Sequence, residues 1–320
     1  MPIGQYIISR NDAGYTHADA VALATAHGGT LAAVTSAAEN TLILGFLAQD
    51  ALLSAIDPRD GALYGPWIGL TQPPGSVEPG GGWTWDTGEA YDFTAWLGGQ
   101  PDNFLNDSYA IYASFGGGFA WGDHINDPPS QGFGAVVSAA IEVAAGIKGL
   151  VGTAGHDFVW AGAVGNKISG LGGNDSIAGN AGSDRILGGS GLDTVLGGAG
   201  NDSLTGGTGG DSLSGGLGAE HFIYLTAAES RGGATTRDVI SDFSVSDGDR
   251  IDLTAFDAIP GGGHDPLVFV SGGFSGTGQV RVHVVGGDTF VEVNLSGDVT
   301  PEMRIVLTGV GALDGTSFDL

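Results

Sequence analysis

The sequence predicts a multi-domain chain: an α+β domain over residues 1–145, an all-β stack of short parallel strands (a β-roll) over 146–223, and a C-terminal β module over 224–320. Three observations carry this. A nine-residue repeat runs without a gap through the middle of the chain. Helical patterning with capping signals is confined to the stretch before Pro58, and the last third is built of short apolar runs punctuated by Gly, Asp and Ser. Fixed-period repeats, capping signals and turn-bounded apolar runs are the sequence marks of a stacked array, of helices and of strands respectively.

Composition excludes several classes. Glycine supplies 61 of 320 residues, and 36 acids against 10 Lys and Arg leave a net charge of −26. Nucleic acid and anionic membrane surfaces are therefore excluded as expected partners, because both need clustered basic residues. Cysteine is absent, so neither a disulfide framework nor a thiolate metal site is available. The start MPIGQYIISRNDAG lacks a basic segment followed by an apolar one, so no standard signal peptide is expected. No run reaches the ~18 apolar residues of a membrane helix, so no membrane span is expected either.

In the first domain, Thr16 to His27 has helical spacing and ends at Gly28 and Gly29. Ser36 and Glu39 form a capping box ahead of a second helix, ENTLILGFLAQDALL. After Pro58 come WIGL (67–70), GGWTWDTGEAYDFTAW (81–96), GGQPDNF (98–104), YAIYAS (109–114), FAWGDH (119–124) and AAIEVA (139–144). The domain carries fifteen acids against Arg10 and Arg59.

That order resembles a C-type lectin-like domain over nearly the whole segment. The resemblance implies two helices flanking a small sheet, and a long loop that carries calcium. Gln100-Pro101-Asp102 resembles the family's galactose-type tripeptide, in which a cis proline sets two side-chain oxygens on one ion. Trp121-Gly122-Asp123 aligns with the family's Trp-Asn-Asp, with Gly122 in place of the Asn ligand, and Asp107 is the nearest acid for a loop ligand. The resemblance thus implies Gln100, Asp102, Asp107 and Asp123 as ligands of a calcium ion that also takes a sugar diol. Phe104, Tyr109 or Trp121 could pack on the sugar's apolar face, although buried aromatics of this kind are more often core. The implied partner is an extracellular glycan of galactose type. The alternative is a cell-surface structural or adhesive protein whose head binds protein or surface polymer.

From Gly152 the sequence divides into eight consecutive blocks of nine, GTAGHDFVW to GGLGAEHFI, ending at Ile223. The sixth places are Asp157, Asn166, Asp175, Asp184, Asp193, Asp202, Asp211 and Glu220, and every eighth place is apolar. The blocks resemble the GGxGxDxUx nonapeptide of RTX calcium-binding proteins. Glycine permits positive φ and close backbone approach in the turns, and two blocks form one coil, with strands roughly 4.8 Å apart along the stack. The sixth-place side chains then line up in two columns: Asp157, Asp175, Asp193 and Asp211 on one side, Asn166, Asp184, Asp202 and Glu220 on the other. Four turns per column leave three gaps, hence six calcium sites. Calcium suits them because it takes six to eight oxygens from carboxylates and carbonyls. Folding is expected to depend on the ion, as in other small metal-held domains.

The segments TTRDVISDFSVSDGDRIDLTAFDAI and GQVRVHVVGGDTFVEVNLSGDVTPEMRIVLTGV resemble the region after the roll in serralysin-type secreted proteins, and ALDGTSFDL resembles an uncleaved type I secretion signal. The resemblance implies export by the type I apparatus to the outside of the cell, where calcium is abundant. The catalytic half of a serralysin is not expected. None of the seven His is followed by Glu, so HExxH is missing, and no other catalytic motif stands out. The chain is read as a binding protein, not an enzyme.

Overall fold

The computed structural model describes residues 5–10, 15–49, 55–56, 63–73, 76, 82–96, 100–101, 109–114, 120–124, 138–143, 147–233, 235–258, 265–311 and 313–320. The chain divides into two compact units: Met1–Ile147 with Gly155–Val159, and Lys148–Ala154 with Trp160–Leu320. No helix among the described residues is long and apolar enough to cross a membrane.

The first unit opens with β1 (Gln5–Arg10), α1 (His17–Ala26), β2 (Gly29–Leu31) and α2 (Ala37–Gln49). Thr16 caps α1 reciprocally: its hydroxyl accepts from the Asp19 amide at 3.1 Å, and Asp19 accepts from the Thr16 amide at 3.0 Å. The box expected at Ser36 is only half formed. Ser36 Oγ accepts from the Glu39 amide, but the Glu39 carboxylate reaches one residue further back, to the Thr35 amide and hydroxyl. The helices are followed by β3 (Ala55–Ile56), β4 (Leu63–Thr71), β5 (Thr84–Trp85), β6 (Tyr109–Ser114), β7 (Ala120–His124) and β8 (Ser138–Val143). β1 and β8 pair antiparallel from Gln5↔Val143 to Arg10↔Ser138, so the two ends of the domain's sequence lie side by side. β4 is the central strand, pairing with β3, β5, β6 and β8. β6 and β7 form an antiparallel pair from Tyr109↔His124 to Ala113↔Ala120. Two helices and a small sheet are the architecture expected for the head.

Without disulfides, the segment 82–96 is fastened by aromatic rings. Trp121 on β7 is fully buried and meets Trp85, Phe93 and Trp96 edge-on at 5.6, 5.8 and 5.7 Å, while Trp83 lies 5.0 Å from Trp96. The Trp121 amide also donates to the Ala95 carbonyl. Edge-to-face pairs add ~0.5–1.5 kcal/mol each beyond the apolar area they bury.

In the second unit the eighth-place side chains Ile168, Ile177, Ile186, Val195, Leu204, Leu213 and Phe222 are all buried. They stack because the coils repeat every two blocks. One ladder runs through β9 (Gly149–Val151), β11 (Lys167–Gly172), β13 (Arg185–Gly191), β15 (Ser203–Gly209) and β17 (His221–Ile223); β10 (Asp157–Trp160) falls between β9 and β11 in sequence. The other runs through β12 (Ser176–Ala181), β14 (Thr194–Ala199) and β16 (Ser212–Leu217).

The ladders do not stop at residue 223. β18 (Val239–Ile240) pairs parallel with β16, and β19 (Arg250–Asp252) pairs parallel with β17. β23 (Met303–Leu307) and β24 (Phe318–Asp319) then continue the two ladders in turn. The expected C-terminal module is thus built partly as further turns of the roll. Between them lie β20 (Val268–Val270) and the hairpin of β21 (Gln279–Val285) and β22 (Asp288–Asn294), closed by Gly286 and Gly287 at φ +68° and +102°. Two consecutive positive-φ residues match the right-handed strand twist in such a tight turn. Glu292 on β22 is buried, and burial alone would raise its pKa. Hydrogen bonds from Arg281 and Arg304 outweigh that and hold the carboxyl below its ordinary value.

Trp121→Ala should destabilise the first unit by about 3–5 kcal/mol, the usual cost of deleting a buried aromatic ring. Denaturant unfolding followed by tryptophan fluorescence in saturating calcium checks this. An unchanged midpoint would show that the ring cluster does not hold 82–96.

Candidate metal centre

The sixth-place residues lie inside the ladders. Asn166, Asp175, Asp184, Asp193, Asp202, Asp211 and Glu220 are all 3% exposed or less. Each immediately precedes a strand whose second residue, the eighth place, is core, so the side chain turns in under the glycine turn. One carboxylate oxygen of each coil is tied to the coil before it. Asp193 Oδ1 accepts from the Asp175 amide at 2.8 Å, Asp211 Oδ1 from the Asp193 amide at 2.9 Å, and Asp202 Oδ1 from the Asp184 amide at 2.8 Å, all at a separation of 18 residues.

In four of the column residues the second oxygen lacks such a donor. Asp184 Oδ2, Asp202 Oδ2, Asp211 Oδ2 and Glu220 Oε1 are buried without a hydrogen-bond partner. At Asp184 and Asp202 these oxygens face carbonyls. A Cβ placed on Gly197 would lie 2.5 Å from both Asp202 Oδ2 and the Gly215 carbonyl, and one on Gly179 would lie 2.5 Å from the Gly197 carbonyl and 2.7 Å from Asp184 Oδ2. Glycine therefore keeps open a small cradle whose facing atoms are oxygens. Buried anionic oxygens beside carbonyls, with no donor to satisfy them, are unstable unless a proton or a cation enters. A donor set of carboxylate and carbonyl oxygen without nitrogen or sulfur fits calcium.

The electrostatics agree. Burial pushes Asp184 up to about 6, with the neighbouring Asp202 charge adding to it, and pushes Asp211 up to about 7. Asp202 is raised for the same reason, and Glu220 is raised by burial and by its contact with Asp249.

Two residues of the columns were not expected from the repeat. Asp238 Oδ1 accepts from the Asp211 amide at 2.9 Å, and Asp249 Oδ1 from the Glu220 amide at 3.0 Å. They continue the columns 27 and 29 residues on, instead of 18, and burial pushes Asp238 up to about 8. Their signal is the Asp-x-apolar step of Asp238-Val239-Ile240 and Asp249-Arg250-Ile251, which survives after the glycines of the repeat are lost. Asp157 was expected to head one column. It is buried, but it falls in the first unit, near Tyr15.

In the head, the Gln100–Pro101 bond is cis, with Pro101 buried and Gln100 half-buried. Asp102, Phe104 and Asp107 lie outside the described residues. Asp123 stands on β7 opposite Ala110, and its side chain too lies outside them. Tyr109 packs its ring on His17 at 4.1 Å and meets Trp67 edge-on at 6.2 Å. Trp121, also considered for sugar stacking, is a core ring with no exposed face.

The roll and the ladders that prolong it bear on kinship. Residues 161–317 match the family of the Peptidase M10 serralysin C terminal. The serralysin-type segment thus begins inside the repeats and takes in both Asp238 and Asp249. Among solved structures, the chain is similar to the AlgE6R3 subunit of the Azotobacter vinelandii mannuronan C5-epimerase, at 23% identity and TM-score 0.33, covering 55% of this chain and 86% of that one. It is also similar to the C-type lectin CEL-I from Cucumaria echinata, at 22% identity and TM-score 0.30, covering 43% and 89%. A third similarity is to the herring type II antifreeze protein, at 22% identity and TM-score 0.32, covering 45% and 95%. No curated protein matches the chain.

A pH dependence arises from the raised carboxyls. Their stabilising contribution is complete below the ordinary carboxylate value of 3.8 and is lost as pH rises through the folded values of about 6 to 8. Without calcium, the roll should therefore melt at a higher temperature near pH 5 than near pH 8. With saturating calcium the order should reverse, because protons then compete with the ion. Thermal melts at the two pH values, in chelator and in calcium, test both signs. A metal-free melt that rises with pH would refute the assignment.

Proposed function

We propose that the chain is an extracellular, calcium-dependent binding protein: a roll folded by calcium that carries a carbohydrate-recognising head. The observation that carries this reading is the buried second oxygens of Asp184 and Asp202, which face glycine carbonyls with no donor. In the roll, Asn166, Asp175, Asp184, Asp193, Asp202, Asp211 and Glu220 would hold the ions, with Asp238 and Asp249 extending the columns. Calcium supplies the positive charge that lets adjacent coils close.

The kinship of residues 161–317 supports export by a type I apparatus, with the ALDGTSFDL segment as its signal. In that route the chain meets too little calcium to fold in the cytosol, and enough outside to fill sites of extracellular affinity, ~10⁻⁴–10⁻³ M. Surface attachment would be a further step after release.

Calcium-coupled folding is tested on the full chain by far-UV circular dichroism in chelator and then in millimolar calcium. The β signal of the roll should grow on calcium addition. Gly197→Ala should weaken that response while every carboxylate remains, because its Cβ would enter the cradle at 2.5 Å from both facing oxygens. Equal calcium titrations for parent and variant would sink the assignment.

In the head, Gln100, Asp102, Asp107 and Asp123 would hold one ion, and a galactose-like diol would complete its coordination. Phe104 and Tyr109 are the aromatic groups that remain for the sugar's apolar face, since Trp121 is core. Gly122 leaves this site one oxygen short of the family pattern, so losing another should matter greatly for an ion that wants six or more. Asp102→Ala should abolish binding on a glycan array run in calcium and leave the roll's calcium response intact. Undiminished binding, or equal binding by the parent in chelator, would recast the head as a protein-binding module.

A further inference from the structure

Beyond the calcium columns, we propose a second kind of metal site on the outer face of the β17–β19–β24 sheet. It binds a divalent transition ion of the zinc class through His221, Asp252 and Asp319. One ligand atom from each of the three lies within 4.8 Å of the other two.

The register explains why they meet. Phe222, Ile251 and Phe318 point into the core, so their neighbours in sequence point out. His221 pairs with Arg250, Asp252 with Ile223 and Asp319 with Asp252, which brings the imidazole and both carboxylates onto one patch of three adjacent strands. His221 Nδ1 stands 3.7 Å from Asp319 Oδ2. Two donors bound to one zinc at ~2.1 Å in tetrahedral geometry are about 3.4 Å apart, so this pair is within a few tenths of an ångström of ligating distance.

Each carboxylate is already oriented through its other oxygen. Asp252 Oδ1 accepts from the Thr254 amide at 2.9 Å and its hydroxyl at 2.6 Å. Asp319 Oδ1 accepts from Arg250 Nε at 2.6 Å. Arg250 is itself anchored on the Thr316 and Phe318 carbonyls, both at 2.7 Å. Metal-binding carboxylates are usually held this way by outer partners. Arg250 also offsets one of the two negative charges without occupying Asp319 Oδ2. The ligand chemistry separates this patch from the columns. An imidazole with two carboxylates suits zinc and its neighbours, whereas calcium takes oxygen almost alone. The patch is partly exposed, which leaves room for water as a fourth ligand. A bound ion would tie β24 to β17 across β19.

The test uses the full chain in saturating calcium, titrated calorimetrically with zinc and, in parallel, with cobalt(II) followed by its visible spectrum. One zinc per chain should bind in addition to calcium, and cobalt should give the absorption of a four- or five-coordinate nitrogen–oxygen site. His221→Ala and the near-isosteric Asp252→Asn should each weaken zinc binding at least tenfold. The far-UV response to calcium should be unchanged in both, which separates loss of the site from loss of the fold. Zinc should also slow amide exchange at Leu253, whose N–H donates to the Asp319 carbonyl. Absence of zinc binding in the presence of calcium, or equal binding and equal cobalt spectra in parent and both variants, would overturn the proposal.

Discussion

A buried carboxylate on every coil, one oxygen tied to the coil before it and the other facing a carbonyl, is the constraint on which the second unit depends. The amide bonds fix the register: Asp193 can accept from Asp175 only if the coils are in step by 18 residues. That step aligns the eighth-place side chains into one core. The same arrangement stacks negative charge at strand spacing where little water reaches. Raised carboxyl pKa values are the symptom, and protons or cations are the two remedies. At neutral pH protons are scarce, so on the proposed reading the fold is conditional on the ion. A chain with so few apolar residues per coil gains specificity from this, because a wrong register would break the amide-to-carboxylate bonds between coils.

The first unit solves the same problem of a missing staple by other means. It has no cysteine and many acids, yet its long irregular stretch is held on β7 by edge-to-face rings around Trp121. That cluster consumes an aromatic group which the sequence had also offered for a sugar, with core the commoner role. An aromatic near a ligand tripeptide reads the same whether it faces in or out. Only the alternation along β7 decides, and Trp121 lies on the buried side of that strand.

Much of this was legible in the sequence because the repeat is redundant. Eight blocks in one register specify the turn, the inward side chain and the acid together, and the buried eighth places and columns result. The end of the roll was not legible. Asp238 and Asp249 do the same work as Asp211 and Glu220, but loops of unequal length separate them from the repeat, so periodicity broke where the ladder did not. Parallel pairing needs only that the next strand return to the sheet edge, and a connection of any length can do that. The half-formed box at Ser36 failed for a smaller reason: Glu39 is long enough to satisfy Thr35 instead. His221, Asp252 and Asp319 are far apart in sequence and share no motif. Their meeting depends on three strand registers that no local pattern encodes.

The glycines of the repeat answer to stacking more than to turn geometry. Leu171 and Asn180 hold positive φ, 75° and 70°, at the place where later blocks have Gly189 and Gly198 at 126° and 116°. An ordinary residue in that region costs roughly 1–2 kcal/mol, which a packed coil can absorb. What it cannot absorb is a collision. A Cβ on Gly189 would come within 2.2 Å of the Leu171 carbonyl oxygen, and one on Gly198 within 2.0 Å of that of Asn180. Leu171 is half exposed, so its side chain escapes to solvent, and Asn180 donates its amide to the Ala161 carbonyl. Glycine thus becomes obligatory once another turn of the same shape lies beneath. This is why the repeat is ragged in its early blocks and strict in its later ones.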